Sequence, residues 1–388
     1  MSAVAAEAQP PAGSATPAAV AGEFEFTRAG PADEPEIRRL VGSVAMPGAI
    51  SVRFEREPDY FLGTTIMGDP CDVLIARRRA DGRLAGVLCR GERRAFINGE
   101  ERPVGYIGQI RVAPEFRGMG GRLMARGLPL FREMGAPDLL YEGVVASDNP
   151  RARALLLELR PPGGLHATRI SGLTSFAFLL RPRRPVRMAG LSVDGVTPSD
   201  LEAVVAFLRR GGARRQLFPA YRLEDFTDGR TMRGLEPEDL AVARRGDRIV
   251  GVMGTWDQSA FKQEIVGGYG PALGRLRPAY DVAARLLRAR RLPRVGERIE
   301  VAFAAPVCIA DDDPGVFRTL LARTLGRART RGLAFVMAGF ADADPLLAEA
   351  RRTLHVTYRS DLFVLSWTSP APAAGLDGRV PYCEIATL

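Results

Sequence analysis

The stretch Q-I-R-V-A-P-E-F-R-G-M-G-G-R-L-M-A-R-G occupies residues 109–127 of the chain. Its first residues predict a strand that ends at V-A-P, and its last residues predict an amphipathic helix with Leu123 and Leu128 on one side. Glycines in the turn between them let backbone N–H groups point into one concavity, and the N-terminus of the helix adds a partial positive charge. The stretch therefore predicts an anion site of the kind that holds a pyrophosphate, to which Arg117 and Arg122 add charged donors.

The elements around this turn predict a sheet covered by helices. A strand begins at Phe24, and a helix with acidic residues in its first turn follows it. Residues 71–78 and 82–91 are two apolar runs joined through Ala-Asp-Gly, which indicates a hairpin. Further along, the pattern gives a strand, a helix, a strand, a helix and a final strand. This order predicts an α/β (α+β) fold, with a mixed, mostly antiparallel sheet and helices on both faces.

The second half of the chain repeats the first. The segment L-H-V-T-Y-R-S-D-L-F-V-L-S-W matches L-H-A-T-R-I-S-G-L-T-S-F-A-F-L-L, and four further segments match in the same order. Five matches in one order predict a duplicated domain. His166 and His355 stand at the same repeat position, which favours a structural role for both. The expected boundaries are a disordered tail at 1–23, a domain at 24–181, a linker at 182–189, a second domain at 190–368 and a C-terminal tail at 369–388.

The segment V-A-P-E-F-R-G-M-G-G-R resembles the acetyl-CoA motif of the GCN5-related N-acetyltransferase (GNAT) superfamily, which is R/Q-x-x-G-x-G/A after a strand ending in V-x-P. Asn149, which opens a helix after the next strand, fits the second block of that family. The sixth motif position, usually Gly or Ala, is Arg122 here, which crowds the loop or places a guanidinium on a phosphate. The resemblance covers about residues 24–181.

This resemblance implies two tandem GNAT-like domains and a set of cofactor-binding residues in the first of them. The backbone of Ile110 and Val112 is implied to pair with the pantetheine arm of coenzyme A, and Asn149 to contact the cofactor arm. The residues implied to hold the pyrophosphate are Arg117, Gly118, Met119, Gly120, Gly121 and Arg122.

The second copy resembles a degenerate GNAT domain, because its phosphate loop has become acidic. Asp311, Asp312 and Asp313 stand where a phosphate would dock, and Pro314 removes one backbone donor. At an effective dielectric constant of about 20 and a separation of roughly 4 Å, each like-charge pair costs around 4 kcal/mol. We therefore expect one acyl-CoA site per chain, in the first copy. The acidic run is expected to be a solvated loop, with metal binding as the alternative.

Acyl transfer from a thioester to an amine needs a base for the amine proton and an acid for the leaving thiolate. The resemblance implies a tyrosine seven residues after Asn149 as the acid, but Leu156 stands there. We expect Glu142 to be the base, because it lies in the strand beside the cofactor strand. The segment I-S-V-R-F-E-R-E-P-D-Y-F, which is expected to close over the acceptor, offers Glu55, Glu57, Asp59 and Tyr60. Glu57 and Tyr60 are therefore further catalytic candidates, with a solvated amphipathic helix as the alternative.

The segment after Trp367 begins as a linker and ends in P-Y-C-E-I-A-T-L. Its alternation predicts an added strand of the sheet. The alternative is that Glu384 or the terminal carboxylate reaches the active cleft.

Composition narrows the class of protein. The chain has 388 residues, 46% of them hydrophobic and 26% charged, which fits a globular protein of about two domains. The net charge of +9 arises from arginines and a single lysine, Lys262, and no basic cluster is interleaved with aromatic residues. We therefore expect no nucleic-acid partner. The four cysteines lack paired spacing and only two histidines exist, so no metal site is expected. No membrane helix or signal peptide is expected, and the chain is predicted to be cytoplasmic.

The resemblance implies an acyl-CoA-dependent N-acyltransferase. We expect an N-acetyltransferase that moves an acetyl group from acetyl-CoA, its co-substrate, to a primary amine of a small molecule or a peptide. Two alternatives stay open: a non-catalytic module that senses acyl-CoA, and an acyltransferase that takes long-chain acyl groups from an acyl-carrier protein. Whether the chain forms a homo-oligomer stays open as well.

Overall fold

The structure is a computed structural model that describes residues 22–46, 48, 50–136, 138–157, 165–182, 186–286 and 291–388. Most of the expected tail at 1–23 and part of the expected linker at 182–189 lie outside the described residues. The strands are β1 (Phe24–Arg28), β2 (Ala45–Met46), β3 (Ile50–Glu55), β4 (Cys71–Arg78), β5 (Leu84–Ile97), β6 (Glu100–Val112), β7 (Leu140–Ala146), β8 (His166–Leu179), β9 (Ser192–Gly195), β10 (Leu240–Arg245), β11 (Arg248–Gly254), β12 (Gln263–Tyr269), β13 (Val301–Phe303), β14 (Val307–Ile309), β15 (Phe335–Ala341) and β16 (His355–Ser366). The α-helices are α1 (Glu34–Ser43), α2 (Tyr60–Thr64), α3 (Gly120–Met134), α4 (Pro150–Leu157), α5 (Leu201–Gly212), α6 (Pro271–Leu286), α7 (Pro314–Thr330), α8 (Leu347–Ala350) and α9 (Ala371–Ala374).

The last strand of each half crosses into the sheet of the other half. Within the described ranges, one sheet of nine strands has the order β1-β4-β5-β6-β7-β16-β8-β15-β13. β16, from the end of the chain, lies between β7 and β8. The register pairs Ser366 with His166 and His355 with Phe178, so β8 and β16 run antiparallel along their whole length. One continuous sheet therefore joins the two halves.

The two halves use equivalent strands in equivalent ways, which confirms the tandem fold expected from the repeat. β16 pairs antiparallel with β7, and β8 pairs antiparallel with β15. β6 and β7 pair in parallel, as do β13 and β15. His166 and His355 each begin one of the two exchanged strands. The sequence boundaries at 181 and 190 do not reveal this exchange, because local periodicity carries no information about which sheet a strand joins.

Aromatic side chains pack beside the exchanged strands. Phe176 and Phe178 are fully buried, and their rings stack with centroids 5.5 Å apart. The His355 ring meets Phe176 edge-on at 4.7 Å. Since a buried aromatic side chain removes roughly 150–250 Å² from water at about 25 cal/mol/Å², this packing stabilises the seam by several kcal/mol. His355 lies among these rings and contributes to their packing.

Two smaller sheets complete the fold and tie the halves together again. β9, β10, β11 and β14 form one sheet, against which α5 and α7 pack. β2, β3 and β12 form the other, in which β3 of the first half pairs antiparallel with β12 of the second. In this pair Phe54 lies opposite Glu264, and Arg53 lies opposite Ile265. The loop that follows β3 is thereby placed against the second half.

The expected strand at the end of the chain is wrong. Residues 380–388 make one isolated bridge, between Gln216 and Pro381, and end in a short 3-10 turn at Ile385–Thr387. A half-exposed strand alternates between buried and exposed side chains, whereas Cys383, Glu384, Ile385 and Ala386 are all buried. The segment therefore fills space between other elements instead of adding an edge to a sheet.

We predict that residues 22–182 do not fold alone, because β8 loses both of its neighbours and β7 loses β16. Expression of this half should give aggregated protein, and its co-expression with residues 186–388 should give one soluble complex. Size-exclusion chromatography and thermal unfolding, with the intact chain as control, measure this. A monomeric, cooperatively unfolding 22–182 fragment would contradict the exchanged-strand arrangement.

Candidate functional site

The strands β6 and β7 separate from each other partway along their length. They are paired only where Val104 faces Leu140, Gly105 faces Tyr141, and Tyr106 faces Glu142. Beyond that point, residues 107–112 of β6 and 143–146 of β7 line one cavity. At Gln109, β6 has a φ of 53°, and its register with β5 shifts at the same place. Such a bulge re-aims backbone groups, and here it lies at the opening between the two strands.

The N-terminus of α3 is open towards this cavity. The N-cap residue Met119 makes no side-chain capping hydrogen bond. A Cβ added at Gly118 would meet no atom within 4 Å, and one added at Gly120 would lie 3.7 Å from Val112 Cγ2. Among the described residues, no neighbouring atom would clash with a Cβ at either position, so the space beside both glycines is open. Empty space before a helix N-terminus, with the exposed guanidinium of Arg117 beside it, fits a phosphate group.

Most of the predicted cofactor residues lie on this cavity. Those that line it are Ile110, Val112, Arg117, Gly120 and Asn149. Asn149 Oδ1 accepts a hydrogen bond of 3.1 Å from the backbone N–H of Ala152, which fixes its amide at the start of α4. Gly118, Met119, Gly121 and Arg122 belong to the same turn but lie outside the lining, and Arg122 is exposed. Their contact with the cofactor stays a prediction.

The equivalent helix of the second half, α7, is capped by the chain itself. Asp313 Oδ1 accepts hydrogen bonds from the backbone N–H groups of Gly315 at 2.8 Å and Val316 at 3.2 Å. Asp313 Oδ2 accepts from Arg245 at 2.8 Å. The carboxylate of Asp313 therefore occupies the end of the helix that a phosphate would otherwise occupy.

The acidic loop is exposed at Asp311, as expected, and its carboxylates also form ion pairs that the sequence did not indicate. Asp311 pairs with Arg214 at 2.9 Å, and Asp312 pairs with Arg215. With Asp313 held by Arg245, each carboxylate of the run has an arginine partner. Sequence reasoning missed these partners because they come from distant segments. No group of three or more metal-ligating side chains occurs among the residues that the structure describes.

One cavity of about 980 Å³ extends from the start of α3 into the second half. Its far end is lined by Arg56, Lys262, Glu264, Ile385 and Leu388. One wall is apolar and is formed by Ile299, Val301, Phe335, Met337 and Val356. Because β13, β15 and β16 contribute to this wall, the second half is a structural part of the site even though its own phosphate loop is closed.

Lys262 anchors the end of the chain at the cavity. Its Nζ donates to the carbonyl oxygen of Ala386 at 3.1 Å and to a carboxylate oxygen of Leu388, the last residue, at 2.7 Å. The same ammonium lies 5.0 Å from the centre of the Phe303 ring. Burial, with the nearby positive charge of Arg56, lowers the pKa of Lys262 to about 7. The cavity therefore loses part of this positive charge at neutral pH.

Glu264 is a carboxylate that lines the far end of the cavity, as Leu388 with its terminal carboxylate also does. It lies on β12, two residues after Lys262, which directly precedes that strand, and both residues line the cavity. Burial raises the pKa of Glu264, while the positive charges of Lys262 and Arg56 act in the opposite direction. No hydrogen bond or close ion pair to this carboxylate occurs within the described ranges. A cavity-facing carboxyl group whose pKa is shifted towards neutrality is suited to accept a proton from a substrate.

The three predicted catalytic residues lie away from the cavity lining. Glu142 is fully buried, and its Oε2 lies 2.5 Å from Arg93 Nη2. Glu57 is half exposed and pairs with an arginine of α1. Tyr60 is buried, with its hydroxyl 3.1 Å from Cys89 Sγ. Their catalytic roles stay predictions, and the geometry gives each of them another function: an internal ion pair, a surface ion pair and core packing.

The C-terminal segment reaches the cavity at Ile385 and Leu388, and a carboxylate oxygen of Leu388 accepts a hydrogen bond from Lys262 Nζ there. Ile385 and Leu388 line the cavity, whereas Glu384 is buried behind it. Glu384 Oε2 accepts hydrogen bonds from the hydroxyls of Tyr382 at 2.7 Å and Tyr221 at 3.2 Å. Burial nevertheless raises the pKa of Glu384 to about 7. The carboxyl group thus belongs to the packing that holds the segment in place.

Sequence reasoning missed five polar residues of the site: Arg56, Tyr106, Arg111, Lys262 and Glu264. One signal was present for two of them, because the single lysine of the chain and a glutamate are two residues apart, a spacing that places both on one face of a strand. Arg56 and Arg111 gave no signal, since arginine is frequent throughout this chain.

The fold and the cavity define the class of protein, a tandem GNAT-type acyltransferase fold, and the comparisons support it. The family model described as the acetyltransferase (GNAT) family matches residues 45–159. This match confirms the resemblance stated from the sequence over that segment. No curated protein matches the chain in sequence.

Solved structures match over most of the chain at low identity, and they therefore bear on the fold alone. A GCN5-related N-acetyltransferase from Sphaerobacter thermophilus is 15% identical, with a TM-score of 0.54 over 89% of this chain and 96% of that one. The N-myristoyltransferase of Saccharomyces cerevisiae, solved with bound myristoyl-CoA, is 10% identical, with a TM-score of 0.59 over 90% and 84%. A fungal GCN5-related glucosamine N-acetyltransferase region is 15% identical, with a TM-score of 0.56 over 90% and 38%. Among the described helices, none has both the length and the apolar character of a membrane span.

We predict that Gly120→Glu abolishes coenzyme A binding, because it places a negative charge at the start of α3. Gly120→Ala is the matched control, since its added Cβ lies at an ordinary contact distance from Val112. Isothermal titration calorimetry should give one equivalent of coenzyme A for the wild type and for the alanine variant, and none for the glutamate variant. Two equivalents for the wild type, or unchanged affinity in Gly120→Glu, would refute this assignment.

We predict that Glu384 makes the free energy of unfolding fall as the pH rises from about 4.5 to about 7. The folded-state pKa of about 7 exceeds the ordinary value of 4.5, so the folded chain binds more protons in this window. Glu384→Gln should remove this part of the slope, and Glu57→Gln, at a half-exposed position, should not. Denaturant unfolding at a series of pH values measures it. An identical slope in the wild type and Glu384→Gln would disprove the assignment.

Proposed function

We propose that the chain is an acyl-CoA-dependent N-acyltransferase, and specifically an N-acetyltransferase that uses acetyl-CoA. One observation supports this most directly. The open N-terminus of α3, the diverging strands β6 and β7 and an unpaired carboxylate, Glu264, all border a single cavity. The acceptor is a primary amine of a small molecule or a peptide, and the reaction takes place in the cytoplasm.

The first half holds the acyl donor in this proposal. Acyl-CoA, when bound, supplies a thioester carbonyl that an amine can attack. The turn from Arg117 to Arg122 faces the pyrophosphate, and the backbone edges of β6 and β7 that lack strand partners face the pantetheine arm. Backbone N–H groups at the Gln109 bulge are the donors available to the thioester carbonyl.

Glu264 is the general base of the proposal. An amine is a nucleophile only when it has lost its extra proton, and a carboxylate whose pKa is raised is a stronger proton acceptor than an ordinary one. Glu142 is a weaker candidate because Arg93 holds its carboxylate in a buried ion pair. Glu142 also lies outside the cavity lining, away from the position of an acceptor amine.

Tyr106 is the proton donor of the proposal, in place of the tyrosine that is missing at Leu156. It lines the cavity at the point where β6 and β7 begin to diverge. A side chain at Gly108 would collide with the Tyr106 hydroxyl, so the ring lies along β6 next to the bulge. Burial raises the pKa of Tyr106, so its hydroxyl stays protonated and can donate to a leaving thiolate.

A second candidate function is transfer of a longer acyl group. The apolar wall of Ile299, Val301, Phe335, Met337 and Val356 favours it, because a two-carbon acyl group does not need so large an apolar surface. A series of acetyl-, octanoyl- and myristoyl-CoA, compared by kcat/KM with one amine, separates the two. Acetyl-CoA as the best donor supports the first function, and a longer donor supports the second.

We predict that Glu264→Gln lowers kcat roughly 10²–10⁴-fold and leaves coenzyme A affinity unchanged, because only the proton acceptor is lost. In the wild type, kcat/KM should fall on the acidic side with an apparent pKa above the ordinary carboxyl range, and this limb should flatten in the variant. Thiol release with a panel of amines measures the rate.

Glu142→Gln is the matched control, and it should lower stability while keeping the acidic limb of the pH profile. Near-normal turnover in Glu264→Gln together with a lost limb in Glu142→Gln would assign the base to Glu142. Coenzyme A binding without thiol release for any amine would support the non-catalytic sensing module instead.

A further inference from the structure

The cavity is lined by two arginines, Arg56 and Arg111, whose guanidinium groups form no ion pair with a carboxylate among the described residues. Arg56 follows β3, and only 4% of it is exposed. Arg111 lies on β6, opposite Val87 of β5. Both line the cavity. The two charges are close enough to interact, because the positive charge of Arg111 adds to the effect of burial in lowering the pKa of Arg56. Two like charges at one end of a cavity repel each other unless an anion lies between them.

The hydrogen bonds of both side chains go to neutral groups. Arg56 Nη1 donates to the carbonyl oxygen of Glu55 at 3.0 Å. Arg111 Nη1 donates to the carbonyl oxygen of Ile110 at 2.9 Å, and Nη2 lies 3.7 Å from Met46 Sδ, a weak acceptor. The Nε of Arg111 is buried and has no partner among the described residues. None of these contacts neutralises either guanidinium, and both side chains line the cavity.

Two other arginines in the interior, Arg90 and Arg93, form ion pairs with carboxylates of the chain. Arg90 is fully buried and pairs with Asp72 at 3.1 Å and Glu92 at 2.6 Å. Arg93 pairs with Glu142 at 2.5 Å. A buried charge is expensive unless it is paired, and elsewhere this chain supplies the partner. Arg56 and Arg111 have no such ion pair among the described residues.

The fold makes specific room for this pair. Gly63, in α2, faces the Arg56 side chain, and a Cβ there would lie 2.9 Å from Arg56 Cδ. Of the nearby acidic groups, Glu264 acts on Arg56 only through its longer-range charge. Burial lowers the pKa of Arg56 to about 10, so it stays charged at neutral pH. The two guanidinium groups thus lie in a cavity that Lys262, Glu264 and the Leu388 carboxylate also line.

We propose that the acceptor carries an anionic group, a carboxylate or a phosphate, which binds between Arg56 and Arg111 and presents its amine to Glu264. This inference rests on the proposed function and specifies its substrate class. Bidentate binding of a planar carboxylate or of a phosphate is the recognition for which guanidinium groups are suited. Neutral amines and polycations such as polyamines are then poor acceptors, since they leave the two arginines unpaired.

The test compares amines that differ only in their charge. β-Alanine is paired with β-alaninamide, 4-aminobutyrate with 4-aminobutyramide, and phosphoethanolamine with ethanolamine, at matched concentrations of the unprotonated amine. For at least one pair, the wild type should show about tenfold or higher kcat/KM for the anionic member, since a site built to bind a polar group rejects an analogue that lacks it. Whether the carboxylate or the phosphate pair responds distinguishes the two sources of the anion.

Variants connect the preference to the arginines. Arg111→Gln should raise KM for the anionic member and leave the neutral member and coenzyme A affinity unchanged, which removes the preference. Arg53→Gln is the matched control, because Arg53 lies on β3 outside the cavity lining and it should keep the preference. Equal kcat/KM within every pair, or an equal loss for both members in Arg111→Gln, would overturn the proposal. Weaker coenzyme A binding by Arg111→Gln would also overturn it, by assigning the guanidinium to the cofactor.

A binding measurement keeps this proposal separate from the proposed function. Butyrate, propylphosphonate and butyramide cannot be acylated on an amine, and ligand-observed NMR follows their binding to the intact chain with coenzyme A present. An anion that binds the wild type but not Arg111→Gln supports the anion site even where no amine is acylated, and the acyltransferase activity alone then fails. Equal binding of butyramide and the two anions refutes the anion site whatever the turnover shows.

Discussion

The antiparallel pairing of β8 with β16 is the interaction on which the rest of the structure depends. Each of these strands leaves its own half, and each completes the sheet of the other. Because β16 lies against β7, the second half supplies the strand that borders the diverging edge of the first. The same exchange brings the apolar wall of the second half under the cavity that begins at α3. A single cleft is therefore built from both copies of a duplicated fold.

The two copies differ in what satisfies the N-terminus of the equivalent helix. In the first, Met119 gives α3 no side-chain cap, and glycines leave the space before it empty. In the second, the carboxylate of Asp313 caps α7 and Arg245 holds that carboxylate in place. A helix N-terminus is stabilised by an anion. In this account a bound phosphate supplies that anion at α3, and the carboxylate of Asp313 supplies it at α7. This competition explains in physical terms how one copy can lose its ligand and keep its fold.

Local patterns in the sequence predicted the elements and the turn at residues 117–122, because both depend on periodicity and on glycine within a few residues. The repeat predicted the tandem fold. The strand exchange could not be predicted, since L-H-A-T and L-H-V-T look alike whichever sheet their strands join. The far end of the cavity was missed for a similar reason. The β3–β12 pairing brings Arg56 near Glu264 from distant parts of the sequence, and Arg111 comes from β6 in another sheet. Glu142 was a reasonable candidate from its strand, but the sequence could not show that Arg93 neutralises it.

Hydrogen–deuterium exchange with and without coenzyme A tests the central claim most directly, that a single acyl-donor site lies at the start of α3 and opens between β6 and β7. The account predicts slower exchange on addition of coenzyme A at backbone amides of residues 118–122, 107–112 and 143–147. It predicts no change at residues 315–318, at the start of α7, where Asp313 already accepts the first hydrogen bonds. Protection of residues 315–318, or none at residues 118–122, would contradict the account.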